Sequence, residues 1–133
     1  MKKLISADDQ KLSEVSKAIG VPPFVQTDIA FLREYVMVMA PVAAALDILQ
    51  GEQQCALGYV LPTISTSKKK LNCADIKCTA SLRDSLLQGI QKRFRAYFAD
   101  KEFLVAAVTH PRFKLSWIDD AELRANCINR ADR

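Results

Sequence analysis

The stretch Thr27-Asp28-Ile29-Ala30-Phe31-Leu32-Arg33-Glu34-Tyr35-Val36-Met37-Val38-Met39-Ala40-Pro41-Val42-Ala43-Ala44-Ala45-Leu46-Asp47-Ile48-Leu49-Gln50-Gly51 decides how the rest of the chain is read. Thr27 is a cap candidate, and Asp28 stands where an acid meets the positive end of a helix dipole. Ile29, Leu32, Val36 and Met39 fall at i, i+3, i+7 and i+10, with Phe31, Tyr35 and Val38 in a second stripe beside them. A helix apolar over so much of its surface is expected to be buried in a core. Pro41 removes one rung of the ladder and is expected to bend or break the helix. Val42, Leu46 and Leu49 continue the pattern to a stop at Gly51. Ala43-Ala44-Ala45 lets a neighbouring helix come close. The most apolar part, Val36 to Leu49, contains Pro41 and Asp47 and is short of the roughly 18–20 residues of a membrane span, so no membrane is expected as a partner.

Outward from this stretch the periodicity stays helical. Ser6 and Asp9 make a variant capping box, followed by Leu12, Val15 and Ile19. Gly20 and Pro22-Pro23 end that first helix. Leu57, Leu61 and Ile64 have helical spacing, which favours a helix bent near Pro62 over a strand at Tyr59-Val60-Leu61. Asn72 to Thr79 is a short polar linker, and Thr79 or Ser81 caps the next helix. Leu82, Leu86, Ile90 and Phe94 follow at strict i+4 intervals. Asp100 opens another helix, closed by His110-Pro111. Arg112 to Trp117 alternates basic and apolar residues in a turn, and Asp119 caps a last helix to about Asn129. The expected fold is all-α: an irregular bundle of about five to seven helices over residues 1–133, with no flexible linker dividing the chain. Tyr35, Leu46, Leu61, Leu86, Ile90 and Phe103 are the expected interior, with apolar surface left over.

The 133 residues carry a net charge of +4, distributed unevenly. Residues 1–66 hold five Lys/Arg against seven Asp/Glu, and residues 67–133 hold fourteen against eight. The excess of the second half gathers in Lys68-Lys69-Lys70, Lys92-Arg93-Arg95 and Arg112-Lys114. Solvated helix ends explain such clusters, since basic residues near a helix C-terminus oppose its dipole. Phosphate contacts explain them too, provided the clusters share a face. The aromatic neighbours at Arg93-Phe94-Arg95 and Arg112-Phe113-Lys114 suit either base stacking or core positions flanked by solvated charge.

The residues offer little chemistry. The four glycines are scattered, so no phosphate loop forms. There is no Gly-x-Ser-x-Gly elbow. Cys55, Cys73, Cys78 and Cys127 have irregular spacing, and His110 is the sole histidine, so free thiols are expected rather than a zinc site. A Cys–His nucleophile would have to use His110, placed at a helix end. No cofactor or metal is expected. The basic start without an apolar run after it is not a secretory signal, so nucleus or cytoplasm is the expected location.

Three segments carry a family resemblance. Leu32-Arg33-Glu34-Tyr35-Val36 leads into Ala40-Pro41 and the run to Leu49-Gln50-Gly51-Glu52. Gly58-Tyr59-Val60-Leu61-Pro62-Thr63 follows, then His110-Pro111-Arg112-Phe113-Lys114 with Leu115-Ser116-Trp117. In order and spacing, over roughly residues 10–118, they resemble the hAT superfamily of DNA transposases, and more closely its zinc-finger BED domain-containing members. The resemblance implies part of the all-helical insertion that interrupts an RNase H-like core. It implies that the family's catalytic aspartates lie upstream and its glutamate downstream, as do the BED finger and the dimerisation motif at the two ends. No catalytic residue transfers to a position here, and the matched residues read as packing and turn positions.

The expectation is therefore a non-catalytic, transposase-derived fragment whose ancestral setting is DNA binding and assembly in the nucleus. Expected partners are DNA, weakly and without sequence preference, and other parts of a transposase-like protein or a second copy. Candidate phosphate contacts are Lys68, Lys69, Lys70, Lys92, Arg93, Arg95, Arg112 and Lys114. The alternatives are a piece of an active DDE-type transposase in a longer gene product and a helical interaction module unrelated to DNA.

Overall fold

The computed structural model describes residues 9–51, 56–118 and 124–125. The protein is all-helical there: α1 (Asp9–Ala18), α2 (Gln26–Leu49), a 3₁₀ turn (Leu57–Tyr59), α3 (Val60–Asn72), α4 (Ala80–Ala99) and α5 (Lys101–Thr109). Five α-helices fall within the expected five to seven. The last expected helix, from Asp119, lies outside the described residues except for Arg124 and Ala125, which are helical. The guanidinium of Arg124 donates to the carbonyls of Leu115 (3.2 Å) and Ile118 (3.3 Å).

α3 is the hub, with α2, α4, α5 and the 3₁₀ turn all packed on it. The core collects Leu61, Leu104, Ala107, Trp117 and Ile118, with Phe98, Phe103, Val108, Phe113 and Leu115 against it. Trp117 closes this core from the turn after α5. Its indole N–H donates to the Lys114 carbonyl at 2.9 Å, so burying the ring leaves no polar atom unpaired. The Ser65 hydroxyl ties the Trp117 carbonyl to α3 at 3.0 Å. Lys114 takes φ +48 to make this turn.

α2 corrects the expectation of full burial. Its buried residues are Ile29, Val38 and Ala45, of which only Val38 and Ala45 share a stripe, Ile29 lying about 180° around the helix from Val38, while Phe31 (46%), Met37 (49%) and Leu46 (50%) stay exposed. The reason is neighbours: α2 packs chiefly on α3, and one neighbour covers one stripe. Leu46 lies about 100° around the helix from Ala45, so it faces away from α3. Of the other expected interior residues, Leu61 is fully buried, whereas Tyr35, Leu86, Ile90 and Phe103 are half-buried. α4 buries no residue completely because one face alone meets the hub.

Pro41 does not break α2, which is continuous over 24 residues. By length and composition this helix is long and apolar enough to cross a membrane, a test that core helices also pass. The uninterrupted span is thus longer than Val36–Leu49. Pro62 does not interrupt α3 either, because it sits in the first turn, where no intrahelical N–H donor is needed. α2 starts two residues earlier than Thr27 implies. Val25 occupies the cap, and Asp28 Oδ2 accepts its N–H at 3.0 Å. In α1, Val15 and Ile19 are exposed and the inward residue is Ser16, its hydroxyl bonded to the Leu12 carbonyl at 2.8 Å. Ser6 lies outside the described residues. Gly20 ends the helix at φ +69, as its position suggested.

Candidate functional site

Gly58 sets the geometry of the main surface feature. A Cβ there would stand 2.5 Å from the Ala106 carbonyl oxygen of α5, so only glycine lets the 3₁₀ turn lie against that helix. The close approach carries the next residue, Tyr59, onto the turn after α5. Its ring meets His110 edge-on at 4.7 Å between centroids and Phe113 at 5.1 Å, and His110 and Phe113 are themselves 5.1 Å apart. The Arg112 guanidinium lies 5.9 Å from the Phe113 ring centre, within cation–π reach.

This aromatic triangle forms one end of a groove of about 730 Å³ between α2 and α3. One wall is Pro41, Ala44, Ala45, Asp47, Ile48 and Gly51, and the other is Pro62, Thr63, Thr66, Ser67 and Lys70. Tyr59, Arg112 and Phe113 complete it. Two of the lining hydroxyls, those of Thr66 and Ser67, are turned back to the backbone. Thr66 donates to the Pro62 carbonyl (2.8 Å), and Ser67 donates to those of Thr63 (3.0 Å) and Pro41 (3.3 Å). The groove therefore offers a mostly apolar floor with charge supplied by Lys70, Arg112 and Asp47. All three resemblance segments contribute to it, although they are far apart in the sequence.

The candidate cations do not form one face. Lys68 and Lys70 are two residues apart on α3, about 200° of rotation. Lys70 joins Arg112 at the groove, whereas Lys68 lines a smaller cleft against α4 with Arg95, Phe94 and Phe98. Lys92, Arg93 and Lys114 are exposed, and Lys69 is half-buried. Lys68 with Arg95 and Lys70 with Arg112 thus make two pairs on opposite sides of α3. The aromatic neighbours are engaged internally: Phe94 packs on Tyr97 at 5.8 Å and Tyr97 on Phe103 at 4.8 Å.

Glu34 has a role that periodicity does not reveal. Its carboxylate accepts the backbone N–H groups of Lys77 (3.1 Å), Cys78 (2.7 Å) and Thr79 (3.0 Å), and the Thr79 hydroxyl at 3.2 Å. Thr79 is the cap of α4 but makes no side-chain cap bond of its own. From α2, 45 residues away in sequence, Glu34 instead binds the backbone of the cap residue and of the two residues before it, and so fixes the entry to α4. Partial burial pushes its pKa up, but the four hydrogen bonds to the charged form outweigh this and hold it below the usual value. Asp100 caps α5 as the sequence indicated, accepting the Glu102 N–H at 2.8 Å.

His110 stands within the aromatic triangle, and its Nδ1 accepts the Arg112 N–H at 3.3 Å. Cys73 and Cys78 are free and exposed, while Cys55 and Cys127 lie outside the described residues. Among the described residues no three His, Cys, Asp or Glu side chains gather to hold a metal ion. No family model, no curated protein and no solved structure matches this chain.

Proposed function

We propose that the chain is a non-catalytic helical module of a protein derived from a hAT-superfamily transposase of the zinc-finger BED type, and that it serves assembly on DNA. The observation that carries this reading is the convergence of the three motif segments. Pro41, Asp47 and Gly51, then Tyr59, Pro62 and Thr63, then Arg112 and Phe113 line one groove. Chance matches scattered over 80 residues have no reason to meet, whereas segments kept together by a common packing arrangement do. The exposed apolar face of α2 supports the assembly role, because an inserted module rests against the remainder of its parent protein.

The contribution to DNA binding is electrostatic. Two cations on a side, Lys68 with Arg95 or Lys70 with Arg112, neutralise about two phosphates. The slope of log K against log salt is then about −1.8, and affinity falls roughly tenfold between 50 and 200 mM salt. Fluorescence anisotropy with labelled duplex DNA tests this. The expected dissociation constant at low salt is on the order of 10⁻⁴–10⁻⁶ M, indifferent to sequence. Absence of binding at low salt, or binding unchanged when Lys68, Lys70, Arg95 and Arg112 are replaced by alanine, removes DNA from the proposal.

A further inference from the structure

We propose that the groove between α2 and α3 is a docking site for a short acidic amphipathic helix of a partner protein. This goes beyond the reading above and does not depend on DNA binding. The shape is the first argument. Pro41, Ala44, Ala45 and Ile48 recur at i, i+3, i+4 and i+7 along α2, and Pro62, Thr66 and Lys70 recur at i, i+4 and i+8 along α3. The groove therefore runs along both helices. Ser67 meets Pro41, and Glu34, seven residues earlier on α2, meets Cys78 beyond the C-terminal end of α3, so the two helices run in opposite directions beside it. From Pro62 to Lys70 is about 12 Å at 1.5 Å per residue, the length of about two turns of a docked helix. Small side chains at Ala44, Ala45 and Thr63 leave the width for it. This is the arrangement in which an amphipathic helix lays its apolar stripe into a groove between two others.

Charge selects the partner. Lys70 stands toward the C-terminal end of α3, and Arg112 stands with the aromatic triangle at its N-terminal end. The two cations bracket the floor, against one acid among the described lining residues, Asp47. A fatty acid or another single-headed amphiphile engages one of them, whereas a helix with an acid at each end of its apolar stripe engages both. Phosphate chains find no match in the apolar floor.

The test uses the full chain and a small set of labelled peptides of about 12 residues, the length of three or so turns. Each carries leucines at i, i+3 or i+4, and i+7 with a glutamate at either end of the stripe, and the set varies the anchor spacing. Saturable binding by at least one peptide is expected. Lys70→Glu with Arg112→Glu weakens it about tenfold or more. Ala44→Trp, which fills the groove, abolishes it, whereas Ala43→Trp, one position around the same helix, leaves it unchanged. Circular dichroism confirms that the variants retain their helix content, and the exposed Lys70 and Arg112 positions keep the test valid if Ala44→Trp unfolds. Four results overturn the proposal. No peptide binds. Peptides with lysine in place of glutamate bind equally well. Dodecanoate displaces the label as effectively as unlabelled peptide. Light scattering reveals a dimer that Ala44→Trp dissociates, which makes a second copy the occupant.

Discussion

Replacing Gly58 by alanine isolates the contact on which the groove end depends. The new Cβ would lie 2.5 Å from the Ala106 carbonyl oxygen and 3.2 Å from the His110 Cβ. An ordinary carbon–oxygen contact is about 3.3 Å or longer, so the 3₁₀ turn and α5 must separate by roughly 0.8 Å. The nearest atoms are backbone, so no flexible side chain can swing aside. Overpacking of this kind costs about 1–3 kcal/mol. The smaller entropy of the unfolded alanine chain offsets about 0.4–1 kcal/mol of that. The net loss is about 1–2 kcal/mol, or about 4–8 °C of Tm at roughly 4 °C per kcal/mol for a chain of this length. Gly89 is the control. It lies in the exposed middle of α4 with no atom within 4 Å of an added Cβ, so Gly89→Ala stabilises by about 0.5–1 kcal/mol and raises Tm by about 2–4 °C. Thermal unfolding followed by circular dichroism reads both. A Gly58→Ala protein as stable as the parent, or shifts of the same sign at the two positions, refutes the close packing of the turn on α5.

The remaining predictions concern the hub and the caps. Leu61→Ala, at a fully buried position of the core, should cost about 2–5 kcal/mol in urea unfolding, whereas Leu46→Ala should cost well under half of that because its side chain is half exposed. Asp100→Ala should cost about 1 kcal/mol through the lost α5 cap, read from the same titration. Glu34→Gln should lower Tm at neutral pH. Because the folded-state pKa of Glu34 lies below its ordinary 4.5, its contribution is fully present above that value and fades as pH falls through the lower one. The gap between parent and variant should therefore close in acid, and a gap that stays constant from neutral pH to below the ordinary value would show that the carboxylate charge is not what holds the loop.

Local features were legible because their causes are local. Gly20, Asp100 and His110-Pro111 each act within a turn of where they stand, and the structure ends or begins helices at all three. What periodicity could not supply was the number of neighbours. The stripes of α2 are real, but one adjacent helix leaves Phe31 and Leu46 in solvent, and nothing in the pattern itself counts partners. Neither proline ended its helix. Pro41 stands inside a helix that continues through it, and Pro62 falls in a first turn whose boundary the apolar spacing does not mark. The charge clusters were visible as composition, yet their division into two pairs follows from the angle between adjacent positions on α3. Glu34 and the groove depend on contacts between distant segments. The three quoted segments contain most of the residues that line the groove, though not Thr66, Ser67 or Lys70, and gave no indication that they meet.

The one-sided seating of α2 has a consequence for how the molecule opens. Leu61, Leu104, Ala107, Trp117 and Ile118 belong to segments after residue 56, and none comes from α1 or α2. The Glu34 carboxylate ties the first half of α2 to the segment before α4, and only Ile29 and Val38 are buried there, on opposite sides of the helix. Amide hydrogens should therefore exchange in two tiers, with α1 and the first turns of α2 released by local opening and the α3–α5 amides protected until the whole chain unfolds. A partner lying on the exposed side of α2 would slow the first tier and leave the second unchanged. Exchange rates in that helix would then report occupancy of its outer face without any change in the core.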